Sequence, residues 1–177
     1  MNVFCIAGKA ESGKTTFAEM IINNCPDKKI LLIQNGDMLK WTADKLYHCG
    51  YEKNEENREI WQKFGTDVVR EKVDPIFWTK MVTMILQVAR VDNFDAALIP
   101  DTRFPDEVSH PKNKGFKVET VHIVRPDHKS ILTPEQLLHP SETAMDGYAY
   151  DYTIFNDGSL ASLEEEAVKF AKEVSLK

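Results

Sequence analysis

The sequence predicts an α/β protein built on a parallel sheet, and three observations carry that prediction. Short apolar runs of strand length recur at 3–7, 29–33, 96–100, 118–124 and 152–155. Stretches with helical periodicity separate most of them, and a chain that alternates strand with helix forms a parallel sheet covered by helices. The first run leads directly into Gly8-Lys9-Ala10-Glu11-Ser12-Gly13-Lys14-Thr15, which satisfies G-x-x-x-x-G-K-[ST] at every fixed position.

Residues 3–7 read as a buried first strand because they are apolar without alternation. The eight residues that follow read as a phosphate-binding loop. Glycines at 8 and 13 allow turns that bring successive N–H groups inward, and the helix that follows presents its positive end to an anion. In such a loop Lys14 reaches the β- and γ-phosphates and the Thr15 hydroxyl ligates Mg²⁺. The helix after the loop places Phe17, Ala18, Ile21 and Ile22 on one face and stops at Cys25-Pro26.

A second strand at 29–33 ends in the turn-prone Gln34-Asn35-Gly36-Asp37. Helical periodicity runs from Met38 to about Tyr47, Cys49-Gly50 breaks it, and 53–58 opens a further helix with Ile60, Trp61 and Phe64 inward. Gly65-Thr66-Asp67 is expected to interrupt that helix. Asp74-Pro75 reads as N-cap and first position of a long helix with Phe77, Met81, Met84, Ile85 and Val88 in the core. The third strand, 96–100, ends at Asp101, and the fourth, 118–124, ends at Arg125-Pro126. From 126 to 139 the chain has no clear period and reads as a mobile loop or small lid. A fifth strand at 152–155 is followed by a turn at Asn156-Asp157-Gly158 and by a helix capped by Ser159, with Leu160, Leu163, Ala167, Phe170 and Val174 inward.

Composition limits the partners. The 177 residues contain 42% hydrophobic and 28% charged residues, ordinary for one soluble domain, and the whole of 1–177 reads as a single domain. A net charge of -6, with basic residues scattered singly, argues against a nucleic-acid or anionic-membrane surface. The three cysteines make no C-x-x-C pair and suit reduced thiols in a cytoplasmic setting, with Cys5 in the core. No signal-peptide pattern and no membrane-length apolar run is expected.

Ligands of open parallel sheets bind beyond the carboxyl ends of the strands. There the sequence places the phosphate loop, Asp101 with Arg103, Arg125, and Asn156-Asp157. Asp101 suits a carboxylate that holds Mg²⁺ through water or receives a substrate proton, with a helix-capping role as the alternative. Arg70, Arg103 and Arg125 are candidates because phosphoryl transfer between two anions needs positive groups on the acceptor and on the equatorial oxygens; Arg58 stands behind them as a fourth. The histidines show no metal-ligand spacing, and His139 near Ser141 and Glu142 gives no nucleophilic triad. A GTPase reading fails at Asn113-Lys114, where Phe116 stands at the Asp position of N-K-x-D.

Several motifs in order resemble those of the phage and bacterial deoxynucleoside monophosphate kinases. They are 8–15; Arg58-x3-Gln62-x-Phe64-Gly65-Thr66-Asp67-x2-Arg70 with Asp74 and Trp78; Asp101-Thr102-Arg103-Phe104-Pro105-Asp106-Glu107; Val124-Arg125-Pro126; His139-Pro140-Ser141-Glu142; and Asn156-Asp157-Gly158-Ser159. The resemblance implies the P-loop three-layer sandwich, sheet order 2-3-1-4-5, a short lid at about 126–139 and an acceptor-side helical insert at about 37–74. It implies ATP-dependent phosphorylation of a (deoxy)nucleoside 5′-monophosphate with Mg²⁺, and it leaves room for a homodimer. By matched position, Gly8, Lys9, Ala10, Glu11, Ser12, Gly13, Lys14, Thr15 and Thr16 bind ATP, and Thr15 and Asp101 hold the metal. Lys14, Asp101, Arg103 and Arg125 are catalytic, and Asp37, Lys40, Thr66, Arg70, Arg103 and Glu142 face the acceptor. The lid departs from the family pattern: beyond Arg125 it offers only Lys129, and no arginine. A P-loop regulator without phosphotransfer, or a kinase for dephospho-coenzyme A or phosphomevalonate, are the competing readings.

Overall fold

The computed structural model describes residues 1–126, 130 and 132–176. Its sheet has five parallel strands in the order β2-β3-β1-β4-β5, with β1 at Asn2–Ala7, β2 at Ile30–Leu32, β3 at Ala96–Ile99, β4 at Lys117–Val124 and β5 at Tyr152–Phe155. Each strand lies where an apolar run predicts it. The central β1 sets the register, with Phe4 opposite Leu98 on β3 and Glu119 on β4.

Because side chains alternate along a strand, β1 feeds two cores. Phe4 and Ile6 point to a layer shared with α1 (Lys14–Asn23) and α8 (Leu160–Glu173), where Phe17, Ile21 and Phe170 are fully buried or nearly so. Val3 and Cys5 point to the opposite layer, against Leu86 of α4 (Phe77–Val91) and Val108 of α5 (Asp106–Asn113). Each such large apolar side chain contributes roughly 1.5–3 kcal/mol of burial. Burial pushes the Cys5 thiol up to about 12, so this cysteine is core and inert. A third apolar cluster, Ala43, Phe64, Val69 and Trp78, lies in the segment that leaves the sheet after β2. No helix among the described residues is long and apolar enough to cross a membrane.

That segment differs from the expectation in three places. The predicted turn at 34–37 is the first turn of α2 (Asn35–Tyr47), closed by a capping box between Gln34 and Asp37. The predicted interruption at Gly65-Thr66-Asp67 is absent: α3 (Glu55–Gln62) continues as a π-helix, Lys63–Arg70. Gly65 sits where an added Cβ would overlap Leu39 of α2, and its carbonyl accepts from the Trp78 indole N–H at 3.1 Å, so a glycine that reads as a breaker is a contact point. Asp74-Pro75 does not open α4; Ile76 caps it, and the Asp74 carboxylate accepts the Ile76 N–H at 3.0 Å.

The core face of α4 is also rotated from the predicted one. Met84 and Val88 are 65% and 68% exposed, while Trp78, Thr79, Val82, Thr83, Leu86 and Ala89 are buried. An apolar count cannot see this, because two threonines satisfy their hydroxyls inside the face: Thr83 donates to the Thr79 carbonyl at 2.7 Å and Thr79 donates to Asp106 at 3.0 Å. Leu160, expected inside, is 69% exposed at the start of α8. The stretch read as an aperiodic lid carries a short helix, α6 (Pro134–Leu138), with a capping box between Thr133 and Gln136, and α7 (Pro140–Thr143) follows at once. Lys129, expected as the lid's cation, lies outside the described residues. Helix α5 was not anticipated; its Pro111 hides the period.

Candidate active site

The loop between β1 and α1 takes the conformation its motif demands. Gly8 and Gly13 have φ of 147° and 98°; a Cβ on Gly8 would strike the Ile123 carbonyl oxygen, and one on Gly13 would lie 2.6 Å from Asn156 Nδ2. Asn156, just past β5, donates from that amide to the Ser12 carbonyl at 2.8 Å and so braces the loop. Helix α1 has no side-chain cap, which leaves its first N–H groups to be met by a ligand. The Ser12 hydroxyl is buried without a partner. A glycine cradle, an uncapped helix start and an orphaned hydroxyl fit a polyphosphate.

Lys14 folds back onto this loop, donating to the Gly8 and Lys9 carbonyls at 2.9 and 2.7 Å. Burial, and then the Arg103 charge, lowers it to about 8 from 10.5. Thr15 and Thr16 line the cavity beside it. Arg125 donates to the Glu11 carbonyl at 3.3 Å, which brings it against the loop. Lys9 points away from that cavity, to the Glu142 carbonyl at 2.8 Å and Asp146 at 2.5 Å.

From the loop a cavity of about 540 Å³ runs between the carboxyl edge of the sheet and the cluster formed by α2, α3 and the π-helix. Lys40, Thr66, Arg70, Asp101, Arg103 and Glu142 all line it, as does Trp61. Asp37 does not. Its carboxylate accepts the Gln34 N–H at 2.9 Å and is used in capping α2.

Asp101, at the end of β3, is held on both oxygens: one accepts the Asn35 N–H at 2.8 Å, the other the Gly36 N–H at 2.7 Å. Burial raises its pKa against the pull of those two amides. The carboxylate thus ties the start of α2 to the sheet, the capping role that the sequence also allowed. No group of three or more His, Cys, Asp or Glu among the described residues could hold a metal alone, and a Mg²⁺ carried on phosphates needs only one or two protein oxygens.

The arginines are paired. Arg70 binds Asp106 through both guanidinium nitrogens, at 2.5 and 3.3 Å, and stacks 3.8 Å over the Phe104 ring. Arg103 donates to the Ser141 carbonyl at 3.0 Å and to the buried Glu142 carboxylate. His139 accepts the Ser141 N–H at 3.2 Å and sits 3.5 Å from Asp67. The His139-Pro140-Ser141-Glu142 motif therefore fastens the start of α7 to Arg103 and brings His139 beside the π-helix.

Sequence reasoning missed Glu107 as a site residue. Its buried carboxylate accepts the Arg103 N–H at 2.7 Å and the Phe104 N–H at 3.3 Å, and burial, with Asp101 nearby, pushes it up to about 8. A glutamate in the first turn of a helix, able to reach back to the free N–H groups three and four residues before it, is the local signal that could have disclosed it.

Residues 49–167 match the family model described as deoxynucleotide monophosphate kinase. The chain is 31% identical over 106 residues to the deoxynucleotide monophosphate kinase of Enterobacteria phage T4, covering 60% of this chain and 41% of that protein. It is 30% identical over 115 residues to the enzyme of the same name from Escherichia phage RB69, covering 65% and 44%. The chain thus spans less than half the length of the curated relatives it matches. In fold it is similar to the tunicamycin resistance protein of Deinococcus radiodurans (TM-score 0.59, 16% identity, 99% and 96% of the two chains) and to dephospho-CoA kinase from Campylobacter jejuni (0.52, 17%, 98% and 97%).

Proposed function

The chain belongs to the deoxynucleotide monophosphate kinase family, and we propose on that premise that it transfers the γ-phosphoryl group of ATP to a (deoxy)nucleoside 5′-monophosphate. The observation that carries the reading is the single cavity that joins the glycine cradle of the phosphate loop to the cluster of α2, α3 and the π-helix. Two phosphorylated ligands can meet there end to end. An oxygen of the acceptor phosphate attacks the γ-phosphorus, the bond from that phosphorus to the β–γ bridging oxygen breaks, and ADP leaves with the electron pair.

Each residue has a task in this reading. The uncapped N–H groups of α1 and the loop amides cradle the donor phosphates. Lys14 leaves the Gly8 and Lys9 carbonyls to follow the charge that develops on the transferred group, and Arg125 meets the donor from the lid root. Arg103, on the sheet edge between the two subsites, sits where both phosphates converge. When bound with ATP, Mg²⁺ would neutralise charge on the donor phosphates. Thr15 and Asp101 are the residues that would hold it, Asp101 through water because its oxygens already serve Asn35 and Gly36. The short lid at about 126–139, and the insert at about 37–74, exclude water from the transfer.

ADP release measured over a panel of ribo- and deoxynucleoside monophosphates tests the proposal. Phosphorylation of at least one member, dependent on that member, is the expected result. ADP formation indifferent to every monophosphate would overturn it.

A further inference from the structure

Two of the arginines expected on the acceptor side are already neutralised, Arg70 by Asp106 and Arg103 by Glu142. Three other cations, Lys40, Lys53 and Arg58, line the same cavity with no carboxylate bonded to them among the described residues. The side chains of Lys53 and Arg58 make no hydrogen bond and no ion pair among the described residues; that of Lys40 approaches the Trp61 ring, 5.5 Å from its centroid, and feels the charges of Asp101 and Asp37 without bonding to either. Their charges act on the rest of the site. Lys53 makes protonation of both Lys14 and Lys40 harder, and Arg58 does the same to Arg103.

Like charges gathered with too little counter-charge raise the free energy of a fold; Asp101 and Asp37 offset part of the charge on Lys40, but Asp101 already has both oxygens on α2 amides and no carboxylate among the described residues is bonded to Lys53 or Arg58. An incoming anion relieves that repulsion and has no ion pair to break. At Arg70 it would have to displace a bidentate carboxylate from a side chain that is only 10% exposed, which costs more than meeting a cation still facing solvent.

The backbone holds two of these cations in place. Asn54 caps α3 by accepting the Asn57 N–H at 2.8 Å, and the buried Asn57 amide donates to the Glu52 carbonyl at 2.9 Å. Lys53 lies between those two anchors. Arg58 lies one residue beyond them, its own N–H on the Asn54 carbonyl at 3.1 Å.

We infer that Lys53 and Arg58, with Lys40, form the seat for the acceptor's phosphate, and that Arg70 and Arg103, held by their carboxylates, shape the walls of that seat. The inference rests on the monophosphate-kinase reading for the identity of the anion. It assigns to the acceptor a terminal dianionic phosphate, and it places that phosphate against the α2–α3 connection.

The test is steady-state kinetics on the Lys53→Ala/Arg58→Ala double variant with the best monophosphate of the panel. The Michaelis constant for the monophosphate should rise on the order of 30-fold, as expected for loss of charge-assisted hydrogen bonds, while that for ATP stays within about threefold. Lys53→Arg/Arg58→Lys, which retains both charges, should recover most of the loss; a merely structural role would not be rescued by charge. Lys72→Ala, outside the cavity, should change neither constant. An unchanged monophosphate constant in the double variant, with a large rise in Arg70→Ala, would overturn the assignment.

Should the wild type phosphorylate no monophosphate, the kinase reading fails and the seat is judged by calorimetric titration with inorganic phosphate. Binding by wild type that is lost in the double variant upholds the seat. Equal binding by both, or none by either, refutes it.

Discussion

Gly65→Ala puts a methyl group where α2 and the π-helix touch. Inside an ordinary helix this change stabilises by about 0.5–1 kcal/mol, because alanine has less backbone freedom to lose. Here the new Cβ overlaps Leu39 Cδ1, and Leu39 Cγ lies only 3.3 Å away. Overpacking of this kind costs about 1–3 kcal/mol, so a net loss of about 1–2 kcal/mol is expected. Leu39 has one way out, since it lines the cavity and can swing toward the acceptor. The Michaelis constant for the monophosphate should therefore rise while that for ATP holds. Urea unfolding of wild type, Gly65→Ala, Leu39→Ala and the double variant measures the contact directly: removing Leu39 should relieve the clash, with a favourable coupling of about 1 kcal/mol. Stabilisation by Gly65→Ala alone, or additivity within about 0.5 kcal/mol, would refute the packing argument.

Lys14→Ala should fold with a melting temperature no lower than wild type at pH 7, since the buried charge is an expense to the fold, and should lose phosphoryl transfer; turnover within tenfold of wild type would refute its role. The same group has its pKa below the ordinary 10.5 in the folded state, so wild type should gain stability as pH rises from about 8 toward 10.5, and Lys14→Ala should lack that gain in urea titrations across the window. Removal of Mg²⁺ with excess chelator should abolish turnover, and full activity under chelation would take the metal out of the reaction. Glu107 is displaced the other way, from 4.5 to about 8, so the folded state holds its proton more tightly and wild type should lose stability as pH climbs through that interval. Thermal melts of Glu107→Gln, whose carbonyl can still accept from Arg103 and Phe104, should show the loss reduced; parallel pH profiles would contradict the assigned shift.

The sheet was legible because strand signals here are local. Residues 96–99 are apolar on every position and buried on every position, and the run before Gly8 behaves alike. The phosphate loop was legible for the same reason, since its geometry is set by glycines within a few residues of the lysine they serve. What stayed hidden depends on partners distant in the chain. Thr79 and Thr83 look like the polar side of α4 until Asp106 and the helix carbonyl absorb their hydroxyls. Gly65 looks like a stop until Leu39 is packed on it. Asp37 looks like a ligand from its place after β2, yet its carboxylate closes the capping box three residues back.

The same distinction governs the electrostatics of the site. Arginine at 70 or 103 is visible as a charge in the sequence, but whether that charge is available depends on Asp106, 36 residues on, and Glu142, 39 residues on. Both pairings tie an arginine to a carboxylate on a different segment, so they hold the acceptor cavity in shape and at the same time subtract from its field. Among the described residues Lys53 and Arg58 carry no such partner, and the seat inferred for them is set by an asparagine cap instead. A family motif that names an arginine therefore identifies a position. The work done there is decided by the counter-charge the fold delivers, and by that criterion the inferred seat adds Lys53 and Arg58, on the α3 side of the cavity, to the sheet-edge Arg103 at which the two phosphates meet.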